Sequence, residues 1–200
     1  MARRRRYLPD QANNYLDHSN LGESSIYYPV SINGALIQGW ELTLNSPRAW
    51  RFGQVHLAYA NQIAKQRGAL TGGLVCIPIA SSGCDASFAY TPLDHDQRNT
   101  LNFGYTAPLP GKITASTNVS YGSGFHNGSP NDLYPGNYLP QHTTFDLSAA
   151  KTIREKTTVS VNVLNVANRR VLLDNSLTFG GFHYNDPREI YGEIRYRFHY

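Results

Sequence analysis

Seven segments of the chain alternate between apolar and polar side chains, and this period of two constrains the fold more than any other feature of the sequence. The clearest example is the last segment, EIYGEIRYRFHY. There Ile194, Tyr196 and Phe198 fall in one set, whereas Glu193 and Arg195 fall in the other. Because successive side chains of a β-strand point to opposite faces, this segment is predicted to be a strand with one apolar and one charged face.

The other segments have the same design and lie throughout the chain. Each combines a narrow apolar set with a set of small polar side chains, mainly Thr, Ser, Asn and Gly. They are GWELTLN, FGQVHLAYAN, RNTLNFGYTA, ITASTNVSYGSG, TTFDLSAAK and TTVSVNV. Alternation in this many segments, separated by stretches rich in Gly, Pro and Asn, predicts an all-β antiparallel fold.

The connections between these segments alternate in length. SPRAWR, PLPGK and IREK are short and carry Pro, Gly or charged residues, as hairpin turns do. Long segments rich in Gly, Asn, Pro, Ser, Asp and Tyr separate the hairpins, at residues 62–97, 122–142 and 168–188. Short turns at one end and long loops at the other are typical of outer-membrane β-barrels, whose strands alternate apolar-out and polar-in.

A soluble antiparallel sandwich also alternates, so the polar faces decide between the two architectures. A solvent-exposed face normally carries Lys and Glu, whereas these strands carry Thr, Ser, Asn and Gly, which suit a crowded polar lumen. Aromatic residues also lie at strand ends, as the girdles of a membrane barrel do: Trp40, Tyr59, Tyr105 and Tyr121. The pattern favours a transmembrane barrel. A soluble extracellular β-sandwich binding module and a small autonomous outer-membrane barrel remain alternatives.

Composition and charge exclude several classes of function. Charged residues make up 16% of the chain, against about 25% in typical globular proteins. The net charge of +4 comes largely from the run at residues 3–6, and an isolated terminal run of arginine does not predict a nucleic-acid surface. The sequence has no apolar stretch long enough for a membrane helix and no secretory signal peptide. We therefore expect no nucleic-acid partner and no helical membrane span.

No set of residues predicts catalysis. Asp94, His95 and Asp96 are adjacent, but they precede a strand and are interpreted as a solvated strand entry rather than as metal ligands. Gly122 and Gly124 are not followed by a predicted helix, so they do not indicate a phosphate-binding loop. We expect no enzymatic activity, no cofactor and no bound metal.

The two cysteines, Cys76 and Cys84, lie in a stretch rich in Pro, Ser and Gly, without a nearby Cys/His pair. A local disulfide is therefore a better interpretation than a zinc site, and it would imply an oxidising compartment. Two free thiols are the alternative.

Five motifs resemble the C-terminal part of the barrel of TonB-dependent outer-membrane receptors: ALIQGWELTLNSP, DHDQRNTLNFGY, VSYGSG, NVLNVANRRV and DPREIYGEIRYRF. The resemblance implies an antiparallel transmembrane β-barrel segment, with about seven strands of a barrel of about 22, short periplasmic turns and long extracellular loops. Residues 1–36 would be an extracellular-loop-like segment with a basic start, and residues 37–200 the C-terminal barrel strands. The N-terminal plug domain of the family is absent, so we expect a fragment that does not transport alone.

The resemblance also implies a function and partners. TonB-dependent receptors import a siderophore, cobalamin or carbohydrate across the outer membrane of Gram-negative bacteria. The implied partners are outer-membrane lipid, the TonB complex through the missing plug, and the barrel assembly machinery. Family members often end at the Phe, and here His199 follows it. The assembly signal would therefore comprise Tyr196, Phe198 and Tyr200.

Recognition of a small-molecule or oligosaccharide ligand is predicted for the loop after VSYGSG. Its aromatic and amide side chains are of the kinds that stack on and hydrogen-bond such ligands. The candidates are Phe125, Asn127, Asn131, Asp132, Tyr134 and Tyr138. For any one of them taken singly, packing of one loop against another is the favoured interpretation. On the inner wall, Glu193, Arg195 and Arg197 are predicted to face the plug, because charges in a lumen need partners or water.

Overall fold

The computed structural model of the chain describes residues 2–20, 27–46, 52–71, 87–93, 95–127, 138–154, 156–175 and 182–198. The regular elements in these ranges are β-strands. They are β1 (Ala2–Asn20), β2 (Tyr27–Asn45), β3 (Gln54–Thr71), β4 (Ser87–Pro92), β5 (Asn99–Leu109), β6 (Ile113–Gly122), β7 (His142–Ile153), β8 (Thr157–Leu164), β9 (Leu172–Asp174), β10 (His183–Tyr184) and β11 (Glu189–Tyr196). Among the described residues there is no helix with the length and apolar character needed to cross a membrane.

The main sheet is antiparallel and follows the order β1-β2-β3-β5-β6-β7-β8-β11, with β4 paired to β3 beside this path. β9 and β10 form a separate two-stranded ladder. Strands that are consecutive along this path also follow one another in sequence order, as in an up-and-down barrel. Within the described ranges, β1 and β11 each pair on one side and not with each other, so the sheet is not closed.

The predicted strands are confirmed as β2, β3, β5, β6, β7, β8 and β11. The structure differs from the loop-like segment expected over residues 1–36, because β1 pairs along β2 from Ala2↔Leu44 to Asn20↔Tyr27. Strand pairing satisfies the hydrogen bonds of backbone N–H and C=O groups whatever the side chains are. A polar strand such as β1 is therefore not detected from alternation of apolar and polar residues. The division of the chain at residue 36 stays a prediction.

Short connections lie at one end of the sheet, the short-turn end. Residues 110–112 join β5 to β6, where Leu109 pairs with Ile113. Gly111 has φ +80° in this turn, a left-handed conformation that glycine adopts without steric cost. β7 ends at Ile153 and β8 begins at Thr157, at the same end of the sheet. At the opposite end, the long-loop end, β4 and the β9–β10 ladder lie within two of the predicted long connections. The prediction of a loop over residues 62–97 is wrong at its start, because β3 continues to Thr71.

The register places the apolar sets of neighbouring strands on one side of the sheet, the apolar face, because cross-strand partners share a face. One row of successive partners runs Leu44, Leu57, Phe103, Val119 and Phe145. On the last two strands the partners are Val159 with Ile194, Val161 with Gly192 and Val163 with Ile190. These side chains are largely uncovered, with Val161 53% and Ile194 75% exposed. A slip of one residue in any pair would turn an apolar set to the other side.

The opposite side, the polar face, carries small side chains that hydrogen-bond across strands. Ser148 Oγ donates to Asn162 Oδ1 at 2.7 Å. Ser120 Oγ donates to Asn102 Oδ1 at 3.0 Å. The polar sets of the sequence therefore occupy a common face, as predicted.

Buried apolar side chains are few in the described part of the chain, where they are Ala35, Leu139 and Val171. A soluble sandwich buries its apolar face against a second sheet. Here the described elements leave the apolar face of the main sheet exposed. The structure therefore does not favour the sandwich alternative.

Candidate functional site

Several segments meet at the long-loop end and form a unit that we call the loop cluster: residues 95–98, 123–127, 138–142 and 171–175. His95 N donates to His126 O at 2.8 Å, which joins the first two segments. Asn175 N donates to Asn127 Oδ1 at 3.1 Å, which joins the last segment to the second. Residues far apart in sequence are thereby held together at the long-loop end.

Asp96 is a buried carboxylate in this cluster, with only 4% of its surface exposed. Its Oδ1 accepts a hydrogen bond from Ala64 N at 3.0 Å, and its Oδ2 accepts a longer one from the Tyr138 hydroxyl at 3.5 Å. Burial raises the pKa of Asp96, while both hydrogen bonds and the nearby His126 and Arg98 act in the opposite direction. The sequence interpretation of a solvated strand entry is therefore wrong for Asp96, which connects β3 to the loop cluster instead.

The recognition candidates that the structure describes make contacts within the loop cluster, and Tyr138 also keeps 38% of its surface exposed. The ring of Phe125 stacks on that of His142, with centroids 5.7 Å apart. The side chain of Tyr138 meets the His126 ring edge-on at 5.1 Å. Asn127 is 1% exposed and thus buried. These contacts are of the loop-against-loop kind, and a ligand contact for these residues stays a prediction. Asn131, Asp132 and Tyr134 lie outside the described residues.

Gly124 allows two loop segments to approach closely. It has φ +100°, and a Cβ at this position would overlap the carbonyl group of Leu139. A larger residue would therefore have to push the 138–142 segment away from the 123–127 segment. The glycine-rich YGSG motif serves the packing of the loop cluster, a role that the sequence pattern did not reveal.

Two asparagines fix the backbone that follows β8. Asn165 lies in the left-handed region at φ +46°, and its backbone N donates to Asp146 Oδ1 at 2.9 Å. The Asn165 side chain bonds both the N and the O of Arg169, each at 2.9 Å. Asn185 bonds the same backbone, because its Oδ1 accepts from Val171 N at 2.7 Å. The segment 169–171 is consequently held on both sides.

This fixed segment borders a cleft of about 230 Å³, the arginine cleft, lined by Gln141, His142, Arg169, Arg170 and Tyr184 among others. The guanidinium of Arg170 lies 3.7 Å from the centroid of the Tyr184 ring. Arg169 and Arg170 were not singled out in the sequence. The signal available for them was the NVANRR segment, where two asparagines precede adjacent cations.

The charged residues predicted for the inner wall lie on β11 or directly after it. Arg195 Nη2 is 2.8 Å from Glu193 Oε1, and both side chains are largely exposed on the polar face. Arg197 is exposed as well. In the predicted assembly signal, the rings of Tyr196 and Phe198 meet edge-on at 4.8 Å. Cys76, Cys84 and Tyr200 lie outside the described residues, so the disulfide and the last member of the signal stay predictions.

No group of three or more His, Cys, Asp or Glu side chains arranged as metal ligands occurs within the described ranges.

Residues 6–166 match the family described as TonB dependent receptor-like, beta-barrel. The chain belongs to this family. TonB-dependent receptors are receptors and transporters of the outer membrane rather than enzymes. Among curated proteins, none matches the chain.

Solved receptor structures have the same fold as this TonB-dependent receptor chain. The ferric-catecholate import receptor Fiu of E. coli K12 superposes with a TM-score of 0.62 at 16% identity, over 94% of this chain and 24% of Fiu. The siderophore receptor PiuA of Acinetobacter baumannii gives a TM-score of 0.64 at 13% identity, over 96% of this chain and 25% of PiuA. The ferripyoverdine receptor of the Pseudomonas aeruginosa outer membrane gives 0.61 at 17% identity, over 93% of this chain and 23% of that receptor.

The chain therefore spans about a quarter of the length of these receptors. The resemblance noted in the sequence and the all-β antiparallel fold are both confirmed.

Proposed function

We propose that this chain forms the C-terminal barrel portion of an outer-membrane receptor for the TonB-dependent uptake of a bulky nutrient. One observation carries the proposal: the apolar sets of the strands are in register on a single, exposed face. Lipid is the solvent that suits such a face, since a barrel in a membrane alternates apolar-out and polar-in. Siderophores, cobalamin and carbohydrates are the candidate nutrients. A ferric siderophore comes first, because Fiu, PiuA and the ferripyoverdine receptor are named for such ligands.

The position of a lysine on the apolar face supports contact of this face with lipid. Lys151 pairs with Val159 and therefore shares the face of the valines. It lies two residues before Ile153, where β7 ends at the short-turn end. A long lysine stem at that depth can bring its ammonium group to the lipid headgroups while its methylene groups stay among the acyl chains.

The open edges of the sheet support a role as part of a larger barrel. Within the described residues, β1 and β11 each leave one side of the backbone without a strand partner. In lipid, each unsatisfied backbone group costs several kcal/mol. Further strands that close the barrel would remove this cost, and transporters of this kind have about 22 strands around a plugged lumen.

The partners proposed for the receptor follow from its faces. The polar face, with Glu193, Arg195 and Arg197, would meet the plug, through which the TonB complex acts. The loop cluster, with Phe125, Asn127 and Tyr138, would border the ligand entrance together with Asn131, Asp132 and Tyr134. The terminal aromatics Tyr196, Phe198 and Tyr200 would be read by the barrel assembly machinery.

The test uses the full-length receptor that carries this chain, produced in a Gram-negative host without its own siderophore receptors. The receptor should fractionate with the outer membrane and change its gel mobility on boiling. Uptake of radioactive iron from a siderophore should require both the receptor and TonB. Recovery of the receptor as a folded, soluble periplasmic monomer would refute the membrane assignment, and uptake without TonB would refute energised transport.

The assembly signal has its own variants. Tyr196→Asp and Phe198→Asp should each block assembly in this host, because they place a charge on the lipid side of the closing strand. Arg197→Gln, between them on the other face, is the matched control and should assemble normally.

A further inference from the structure

The arginine cleft concentrates positive charge at the long-loop end. In the described part of the chain, neither the Arg169 nor the Arg170 guanidinium has a carboxylate oxygen within 4 Å. The close contacts of basic side chains with carboxylates there involve other residues: Arg195 lies against Glu193, and the His95 ring lies 3.9 Å from Asp174. Both arginines line the same cleft, so an anion bound there would be attracted by two positive charges.

The cleft is rigid on the side that carries the charges. The backbone of residues 169–171 is bonded by Asn165 and Asn185, and Asn165 is itself buried, with 6% exposed. Stacking on Tyr184 fixes the plane of the Arg170 guanidinium while leaving the N–H groups at its edge available as donors. Tyr184 is held in turn by the ladder that pairs it with Leu172. Arg170 and Tyr184 would therefore lose little conformational freedom when a ligand binds.

The chemistry of the cleft walls matches a compact oxyanion. Guanidinium groups donate charge-assisted hydrogen bonds to anionic oxygens, and these are often bidentate with carboxylate and phosphate. The Gln141 amide and the His142 ring add further hydrogen-bonding groups around the same space. An apolar or cationic ligand would leave both guanidinium groups without a partner.

We propose that the arginine cleft binds an oxyanionic group through Arg169 and Arg170, with Tyr184 positioning the second guanidinium. The proposal rests on the proposed function in one respect: the long-loop end is taken to face the cell exterior. Two sources can supply such a group there. One is an anionic nutrient complex entering from solution, and the other is the phosphate of lipopolysaccharide in the outer leaflet.

The experiment uses the full-length receptor in nonionic detergent, freed of bound lipid. The first probe is a ferric tris-catecholate, which is anionic, compared with a ferric tris-hydroxamate, which is neutral; binding is followed by quenching of the receptor's tryptophan fluorescence. The second probe is lipopolysaccharide, with retention measured by native mass spectrometry. The variant is Arg169→Gln with Arg170→Gln. The matched control, Arg154→Gln with Lys156→Gln, removes the same charge from exposed side chains at the short-turn end.

We expect the double variant to weaken binding of at least one anionic probe by about tenfold for each arginine, which corresponds to about 1.4 kcal/mol per lost charge-assisted contact. Binding of the neutral complex and of every probe to the control should be unchanged. Loss of catecholate binding identifies a soluble ligand as the source, and loss of lipopolysaccharide retention identifies the lipid. The proposal is wrong if each anionic probe either binds equally to the unaltered receptor and the double variant or does not bind at all.

Two further measurements keep the outcomes separate. Should the double variant fail to assemble, Arg169→Gln alone gives the same test, since its guanidinium makes no hydrogen bond within the described ranges. Iron uptake is measured on the same variants. Uptake that persists while anion binding is independent of the arginines removes the cleft and leaves the proposed function. Arginine-dependent anion binding without TonB-dependent uptake of any complex supports the cleft and refutes the proposed function.

Discussion

Arginine at Val161, on the apolar face, should destabilise the receptor far more than arginine at the next residue, Asn162, on the polar face. Val161 is the fifth of the eight residues of β8 and is thus close to the middle of the strand. At about 3.3 Å per residue and a tilt of about 45°, such a strand crosses about 19 Å of membrane, which places Val161 near the midplane. Its cross-strand partners are Ala149 and Gly192, which offer a guanidinium no hydrogen bond. The expected cost is about 2–4 kcal/mol.

Arginine at Asn162, the next residue, should be milder. Asn162 lies on the polar face, accepts a hydrogen bond from Ser148 and donates one to Ser160 at 3.3 Å. Losing both bonds costs about 1 kcal/mol each, and the new guanidinium would face a polar lumen. Asn162→Ala loses the same bonds without adding a charge, so it isolates the effect of the charge at this position.

The assay is denaturant unfolding of the full-length receptor from lipid vesicles, which gives a free energy for each variant. Asn162→Arg and Asn162→Ala should have similar free energies of unfolding, so the charge at position 162 costs little. Val161→Arg should be less stable than Val161→Ala by most of the cost expected for arginine at position 161. Equal costs of arginine at both positions would refute the assignment of faces.

Three other outcomes are expected. A buried carboxyl with a raised pKa holds its proton more tightly in the folded state, so loop-cluster stability should fall as the pH rises through the pKa of Asp96. Asp96→Asn should abolish this trend, as followed by protease cleavage of the loops across pH. Gly124→Ala should loosen the loop cluster, costing about 1–3 kcal/mol from its left-handed backbone and its overlap with Leu139, and should raise cleavage at all pH values. Cys76 and Cys84 should be resistant to alkylation until reductant is added, as measured by mass spectrometry; alkylation without reductant would remove the disulfide.

The strands were predictable where both faces have a distinct character. The valines of β8 and the Ile, Tyr and Phe residues of β11 alternate with polar side chains, so the period of two fixes both the element and its faces. β1 was missed because its sequence, ARRRRYLPDQANNYLDHSN, has no sustained alternation. Its pairing with β2 depends on backbone groups, which the side-chain pattern does not report.

The candidate site was less predictable because it depends on contacts between distant residues. Burial of Asp96 requires Ala64 and Tyr138 to meet around it, and no local pattern in DHDQRN encodes that meeting. The arginine cleft likewise depends on Tyr184, which pairs with Leu172 in the β9–β10 ladder and lies against the Arg170 guanidinium. Sequence reasoning found the type of residue in the loops, aromatic and amide, but not which of them face one another.

The central claim, that the apolar face contacts lipid, can be tested by measuring accessibility along β8. Single cysteines at residues 159–163, in a full-length receptor whose Cys76 and Cys84 are replaced by alanine, would carry a spin label in lipid vesicles. Collision with oxygen, which concentrates in lipid, and with a water-soluble nickel chelate would then be measured at each position. If the apolar face contacts lipid, oxygen access should have a period of two, high at Val159, Val161 and Val163 and low at the polar residues between them, with nickel access low at the three valines. Equal access at all five positions, or high nickel access at the valines, would contradict it.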